Sequence, residues 1–138
     1  MDPAREQELI LVLDCILGNR DALWKLVWDC TAAVAAGAAK ALAQAPGPVS
    51  ADPEDLVQQF FLEVFTDPWS LLKGFDARGP LAPWLAKVAF HRCSHMLRSH
   101  DLRWPGGNLD RDPSHLAALP ARVHARVEPG VVVRRLME

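Results

Sequence analysis

The sequence predicts an all-α protein, with one helical domain over residues 1–104 and an irregular, proline-rich tail over residues 105–138. Three observations lead there. Apolar residues recur at three- and four-residue spacing in four successive segments, the period of a helix with one buried face. Of the 11 prolines and 8 glycines, 15 cluster at 46–53, 74–83 and 105–130, where they punctuate elements rather than sit inside them. The main body contains no alternating strand pattern. With 138 residues, half of them hydrophobic and 23% charged, the chain has material for one domain with a real core.

The first helix is expected from Pro3 to Leu17, with Leu9, Val12, Leu13, Ile16 and Leu17 at helical spacing and Gly18 as terminator. Asn19 caps a second helix whose apolar face includes Leu23, Trp24, Val27, Trp28, Val34, Ala38 and Leu42. The alanine-rich stretch Ala32–Ala43 favours helix, and its small side chains let another helix approach closely. This helix ends before Pro46-Gly47-Pro48.

The third helix has the clearest start. Asp52 is a good N-cap, Pro53 suits the first helical position, and Glu54 and Asp55 complement the positive end of the dipole. Its apolar residues run through Leu56, Val57, Phe60, Phe61, Val64 and Phe65. A short helical turn follows, capped by Asp67 with Pro68 first, and Gly74 stops it. Phe75–Gly79 reads as a loop. The fourth helix opens near Pro80, with Pro83 in its first turn, where a missing N–H costs little. Trp84, Leu85, Val88, Ala89, Met96 and Leu97 form its apolar stripe, while Lys87, His91, Arg92, His95, Arg98 and Arg103 decorate much of the rest. Trp104–Asn108 ends it. In the tail, residues 113–125 form at most a short helix, and Val131–Val133 reads as a short strand or an apolar anchor.

Charge is unevenly distributed. Residues 1–80 hold 6 Lys/Arg against 12 Asp/Glu, and residues 81–138 hold 9 against 5, a net of −6 against +4. Two surfaces with different partners are one reading, the basic one facing phosphates; solvated faces with chance composition are the other. No run of 18 apolar residues exists, so no membrane span is expected. The polar, acidic start Met1–Glu6 lacks the basic and apolar parts of a signal peptide. Three cysteines without CxxC spacing argue against a disulfide framework and for a reducing cytoplasm.

Enzyme chemistry finds no foothold. The sequence has no phosphate-binding glycine loop, no nucleophile elbow and no metalloprotease motif, so no catalytic residue and no cofactor is expected. His91 and His95 share a helix face, but Cys93 lies about 200° from His91 around the helix, and zinc wants three or four ligands. No metal site is expected.

The run Asp52-Pro53-Glu54-Asp55-Leu56-Val57-Gln58-Gln59-Phe60-Phe61 resembles the clamp-binding helix of the sigma-70 family, above all its extracytoplasmic-function group. It matches that family's Asp-Ala-Glu-Asp-Leu-Val-Gln-Glu-Val-Phe at Asp52, Glu54, Asp55, Leu56, Val57, Gln58 and Phe61. The family's following Phe-Asp, Arg-Gly and Trp-Leu are similar in order to Phe75-Asp76, Arg78-Gly79 and Trp84-Leu85, and Val88-Ala89 and Leu97-Arg98 stand where it has Ile-Ala and Leu-Arg. The resemblance spans roughly residues 8–104.

It implies a four-helix sigma region 2 domain and a role in transcription initiation. Asp52, Glu54, Asp55 and Gln58 would bind the basic, amphipathic coiled-coil of the beta-prime clamp of core RNA polymerase. Asp55 and Gln58, three apart, share a face. Phe75, Asp76, Arg78, Lys87, His91, Arg92 and Arg98 would hold the single-stranded −10 region of promoter DNA, where unstacked bases need aromatic platforms and nearby cations. Trp69 is a further pocket candidate, and Trp84 is read as core. The sequence departs from the family at Phe90-His91, where Arg-Asn is usual, at His95, where Asp is common, and at Ala82-Pro83, where Arg precedes Trp. No region 4 helix-turn-helix follows in the 34 residues after Trp104. A partner replacing region 4, or an anti-sigma factor, is therefore among the expected partners. The alternative function is a sigma-like adaptor that binds polymerase or an anti-sigma partner without opening promoters.

Overall fold

The structure is a computed structural model that describes residues 2–45, 51–99 and 127–137. The all-α expectation holds: among the described residues every regular element is a helix. They are α1 (Pro3–Ile16), α2 (Arg20–Ala43), α3 (Pro53–Thr66), the short α4 (Pro68–Leu72), α5 (Leu81–Ser99) and α6 (Pro129–Met137).

The starts of α1 to α4 are set by side-chain caps. Asp2 accepts from the Ala4 N–H at 3.0 Å, Asn19 from Ala22 at 3.1 Å, Asp52 from Glu54 at 2.9 Å and Asp67 from Ser70 at 3.3 Å. α1 stops at Gly18, whose φ of 85° lies in the left-handed region. There the Gly18 N–H donates to the Cys15 carbonyl and the Asn19 N–H to the Asp14 carbonyl, the paired closure that satisfies the last carbonyls of a helix.

α2 is the central element, and α1, α3, α5 and α6 all pack on it. Its closest neighbour is α5. At their crossing a Cβ on Gly37 would overlap the Ala86 carbonyl oxygen and fall 2.9 Å from the Phe90 amide nitrogen. The small residues of α2 thus serve as the sequence predicts, letting two backbones approach. Leu26, Val27, Val34 and Ala38 of α2 meet Leu56, Val57, Phe60, Phe61 and Val64 of α3 and Leu85, Ala89 and Cys93 of α5 in one continuous core. By length and composition alone α2 would reach across a membrane, but here the apolar side of this helix forms the core. Trp24 packs edge-on against Phe65 at 4.9 Å. Leu13, Leu17 and Trp28, expected on buried faces, stand largely exposed.

Of the expected irregular tail only residues 127–137 are described, and there 129–137 form helix α6, seated on α2 and α3. The strand reading of Val131–Val133 is thereby corrected, while the apolar-anchor reading holds. Val131–Val133 favours strand locally, yet Val132 is fully buried in the common core, with Val133 and Leu136 packed at its edge. Tertiary burial of this face outweighs local propensity, since fully burying a valine is worth about 1.5–3 kcal/mol. Pro129 fits the first helical position, and the Glu128 carbonyl accepts from Val131 and Val132. The short helix considered at 113–125, and Arg103 and Trp104, lie outside the described residues.

Candidate functional site

Two features converge on the residues singled out by the sequence: the start of α3, and a cleft between α4 and α5. At the first, Asp52 is exposed and committed to capping, while Glu54 and Asp55 are half-buried. Arg135 of α6 forks across both carboxylates, with Nη1 2.9 Å from Glu54 Oε1 and Nη2 3.0 Å from Asp55 Oδ1. Burial pushes the Asp55 carboxyl above its ordinary range, aided by the charges of Asp52 and Glu54, and the Arg135 guanidinium only partly counters this.

Gln58 departs from expectation. It shares the Asp55 side of α3 but is only 6% exposed, and its Oε1 has no hydrogen-bond partner. The anticipated open polar face is therefore corrected: Glu54 and Asp55 are paired, and Gln58 is buried. The pairing comes from α6, which packs on α3 and whose position no local signal announces.

The loop before α5 is also rearranged relative to expectation. Phe75 is buried with its ring centroid 5.2 Å from that of Trp84, so it serves the core rather than offering a free stacking face. Asp76 accepts from the Arg78 N–H at 3.1 Å and pairs with Arg78 Nε, also at 3.1 Å. Between them Ala77 has φ 62°, a left-handed conformation costing an L-residue about 1–2 kcal/mol. It leaves Arg78 projecting into solvent, its side chain 90% exposed.

The cleft is shallow and open to solvent, with a volume of about 440 Å³. α5 supplies Trp84, Val88, His91 and His95, spaced four, three and four apart on one face, and the α4 end supplies Leu71, Lys73 and Gly74. An apolar floor with an aromatic ring and a nitrogen-bearing rim suits a flat, polarisable group attached to an anion. Trp84, expected in the core, is half-buried: it packs on Phe75 and also lines the cleft. Arg92 reaches the rim but is held by Glu63, which takes its Nε at 2.7 Å and its Nη2 as well. Lys87 and Arg98 are exposed on α5, and Trp69 stands exposed on α4 rather than in the cleft.

Sequence reasoning missed Lys73, Glu63 and Arg135. Only Arg135 had a signal, the basic balance of residues 81–138. Among the described residues no group of three or more His, Cys, Asp and Glu side chains is arranged to hold a metal; Cys93 is fully buried, whereas His91 and His95 are exposed. No protein-family profile, curated protein or solved structure matches this chain.

Proposed function

We propose that this chain is a sigma-like transcription protein of region 2 architecture. On this reading it takes single-stranded nucleic acid into the α4–α5 cleft and docks on the polymerase clamp through the start of α3. The observation that carries it is the cleft, where Trp84 lies beside Lys73, His91 and His95 in the helix that the motif order assigns to the −10 strand. Aromatic stacking of a base contributes about 1–3 kcal/mol and cations add a salt-dependent attraction to phosphates. The acidic start of α3 fits the second role, because Glu54 and Asp55 already hold an arginine from a helix. Such work belongs in the cytoplasm and needs no covalent chemistry or cofactor.

A second reading is favoured by two observations. Phe75 is buried and Arg92 is engaged by Glu63, so two of the residues expected on DNA are committed to the fold. A sigma-like adaptor that occupies polymerase, or binds an anti-sigma partner, without opening promoters uses only α3.

Fluorescence anisotropy with a labelled −10-type oligonucleotide separates the readings. The initiator reading expects single strand to bind more tightly than duplex, with affinity falling as salt rises and dropping in Lys73→Glu and His91→Glu. No single-strand binding, together with calorimetric binding to the beta-prime clamp coiled-coil, favours the adaptor. Neither interaction in a folded protein removes both.

A further inference from the structure

The start of α3 is already occupied by a helix of the chemistry expected in its partner. α6 is short, amphipathic and basic: Val132 enters the core, and Arg134 and Arg135 lie in its last turn. Among the described residues its side-chain ion pairs to the body of the protein are those of the Arg135 fork onto Glu54 and Asp55. One turn beyond Asp55, Gln58 is more than nine-tenths buried with an unpartnered Oε1. Buried polar atoms are nearly always satisfied in a finished interface. By helical spacing Gln58 stands on the same side of α3 as Glu54 and Asp55, so that side carries a spare acceptor besides the two carboxylates that Arg135 takes.

We infer that the Glu54–Asp55–Gln58 face of α3 is a socket for a basic amphipathic helix, held shut in the free chain by α6 as an exchangeable plug. The inference rests on the reading of the α3 start as the docking face for the polymerase clamp coiled-coil, and it adds autoinhibition to that reading. Three physical points make exchange feasible. α6 has 9 residues, fewer than the roughly 12–15 an isolated helix needs in water, so its helicity depends on being docked. It is covalently joined to α5 through residues 100–128, so it stays near the socket after release and recloses when the partner leaves. An incoming helix sees an affinity reduced by the fraction of molecules that are open.

The test uses the full chain, as wild type, Arg135→Glu and the milder Arg135→Gln. Hydrogen exchange over residues 129–137 reads opening, and exchange in α2 and α5 checks that the body stays folded. The probes are a labelled peptide of residues 127–138 and, separately, the beta-prime clamp coiled-coil. Faster exchange confined to α6, with peptide capture at least about tenfold tighter than by wild type, is the expected result. Coiled-coil binding should strengthen in parallel. An opened variant that fails to capture the peptide overturns the socket, and so does unchanged α6 exchange in both variants. Equal coiled-coil binding by wild type and an opened variant overturns the plug while leaving docking intact. Peptide capture without any coiled-coil binding supports plug and socket and removes polymerase as the partner, so the two failures are distinguishable.

Discussion

Arg92 on α5 holds Glu63 on α3 through two hydrogen bonds, Nε to Oε2 at 2.7 Å and Nη2 to Oε1. The pair clips together two helices that both pack on α2, and it turns a candidate phosphate contact into a structural one. Both side chains are about one-quarter to one-third exposed, at 35% and 24%. The fork therefore lies between a screened surface pair and a buried one.

A double-mutant cycle with Arg92→Gln and Glu63→Gln should give a coupling of about 1 kcal/mol in urea unfolding. A coupling near zero would mean that the two helices are held by apolar packing alone. In the oligonucleotide assay Glu63→Gln should bind somewhat more tightly than wild type, because it releases Arg92 at the cleft rim. Weaker binding by Glu63→Gln would instead show that Arg92 must be held in place.

The α2–α5 crossing gives a sharper expectation. In a free helix Gly→Ala is favourable by about 1 kcal/mol. At Gly37 the added methyl meets backbone atoms, the Ala86 carbonyl oxygen and the Phe90 amide nitrogen, and backbone cannot rotate away as a side chain would. Gly37→Ala is thus expected to destabilise by about 1–3 kcal/mol in spite of its better propensity. Ala36→Gly, at an exposed neighbouring position, should cost only the propensity difference. Equal and small changes in both would show that the helices can part without cost.

These sites differ in how far they are legible in the sequence. Helices α1 to α5 announce themselves because their signals are local: Asn19 and Asp52 cap, Pro53 and Pro68 start, Gly18 stops. The close crossing at Gly37 is legible as a run of small residues, though not its partner. α6 is illegible because Val131–Val133 favours strand and becomes helical only by burying Val132. Arg135 lies 80 residues from Asp55 and Arg92 lies 29 from Glu63, separations at which no periodicity links one charge to another. Hence the acidic run could be read as a docking face, but its occupation by the chain itself could not.

Asp55 carries a pH dependence. Burial holds its carboxyl above the ordinary 3.8, so the folded protein binds this proton more tightly than the unfolded chain does. Its contribution to stability is fully present below the unfolded value and is lost as pH rises through the folded one. At neutral pH the charged, partly buried Asp55 is a cost. Asp55→Asn keeps an oxygen to accept from Arg135 and removes the titration. Its stability relative to wild type should therefore increase as pH climbs from below 3.8 to neutrality, measured by urea unfolding across that window. A relative stability that falls over the same range would mean that the Arg135 charge pair outweighs the burial cost.

The cysteines offer a probe of the core that needs no mutation. Cys15, Cys30 and Cys93 are all free and buried, one each in α1, α2 and α5. Burial pushes each thiol up to about 12, with nearby carboxylates adding to it: Asp14 for Cys15, Asp29 for Cys30 and Glu63 for Cys93. The reactive thiolate is thus scarce at neutral pH, and a reagent cannot reach the sulfur without an opening of the helices. Under native conditions a disulfide-exchange reagent should label none of the three rapidly, and all three in denaturant. The labelling rate should follow the opening equilibrium, slower for thiols that need global unfolding than for any exposed by local fraying. Arg135→Glu, expected to loosen α6 alone, should leave all three protected. Gly37→Ala, which strains the α2–α5 contact, should speed labelling of Cys93 above that of Cys15. Rapid native labelling of Cys93 in the wild type would mean that α5 opens from α2 far more readily than this packing allows.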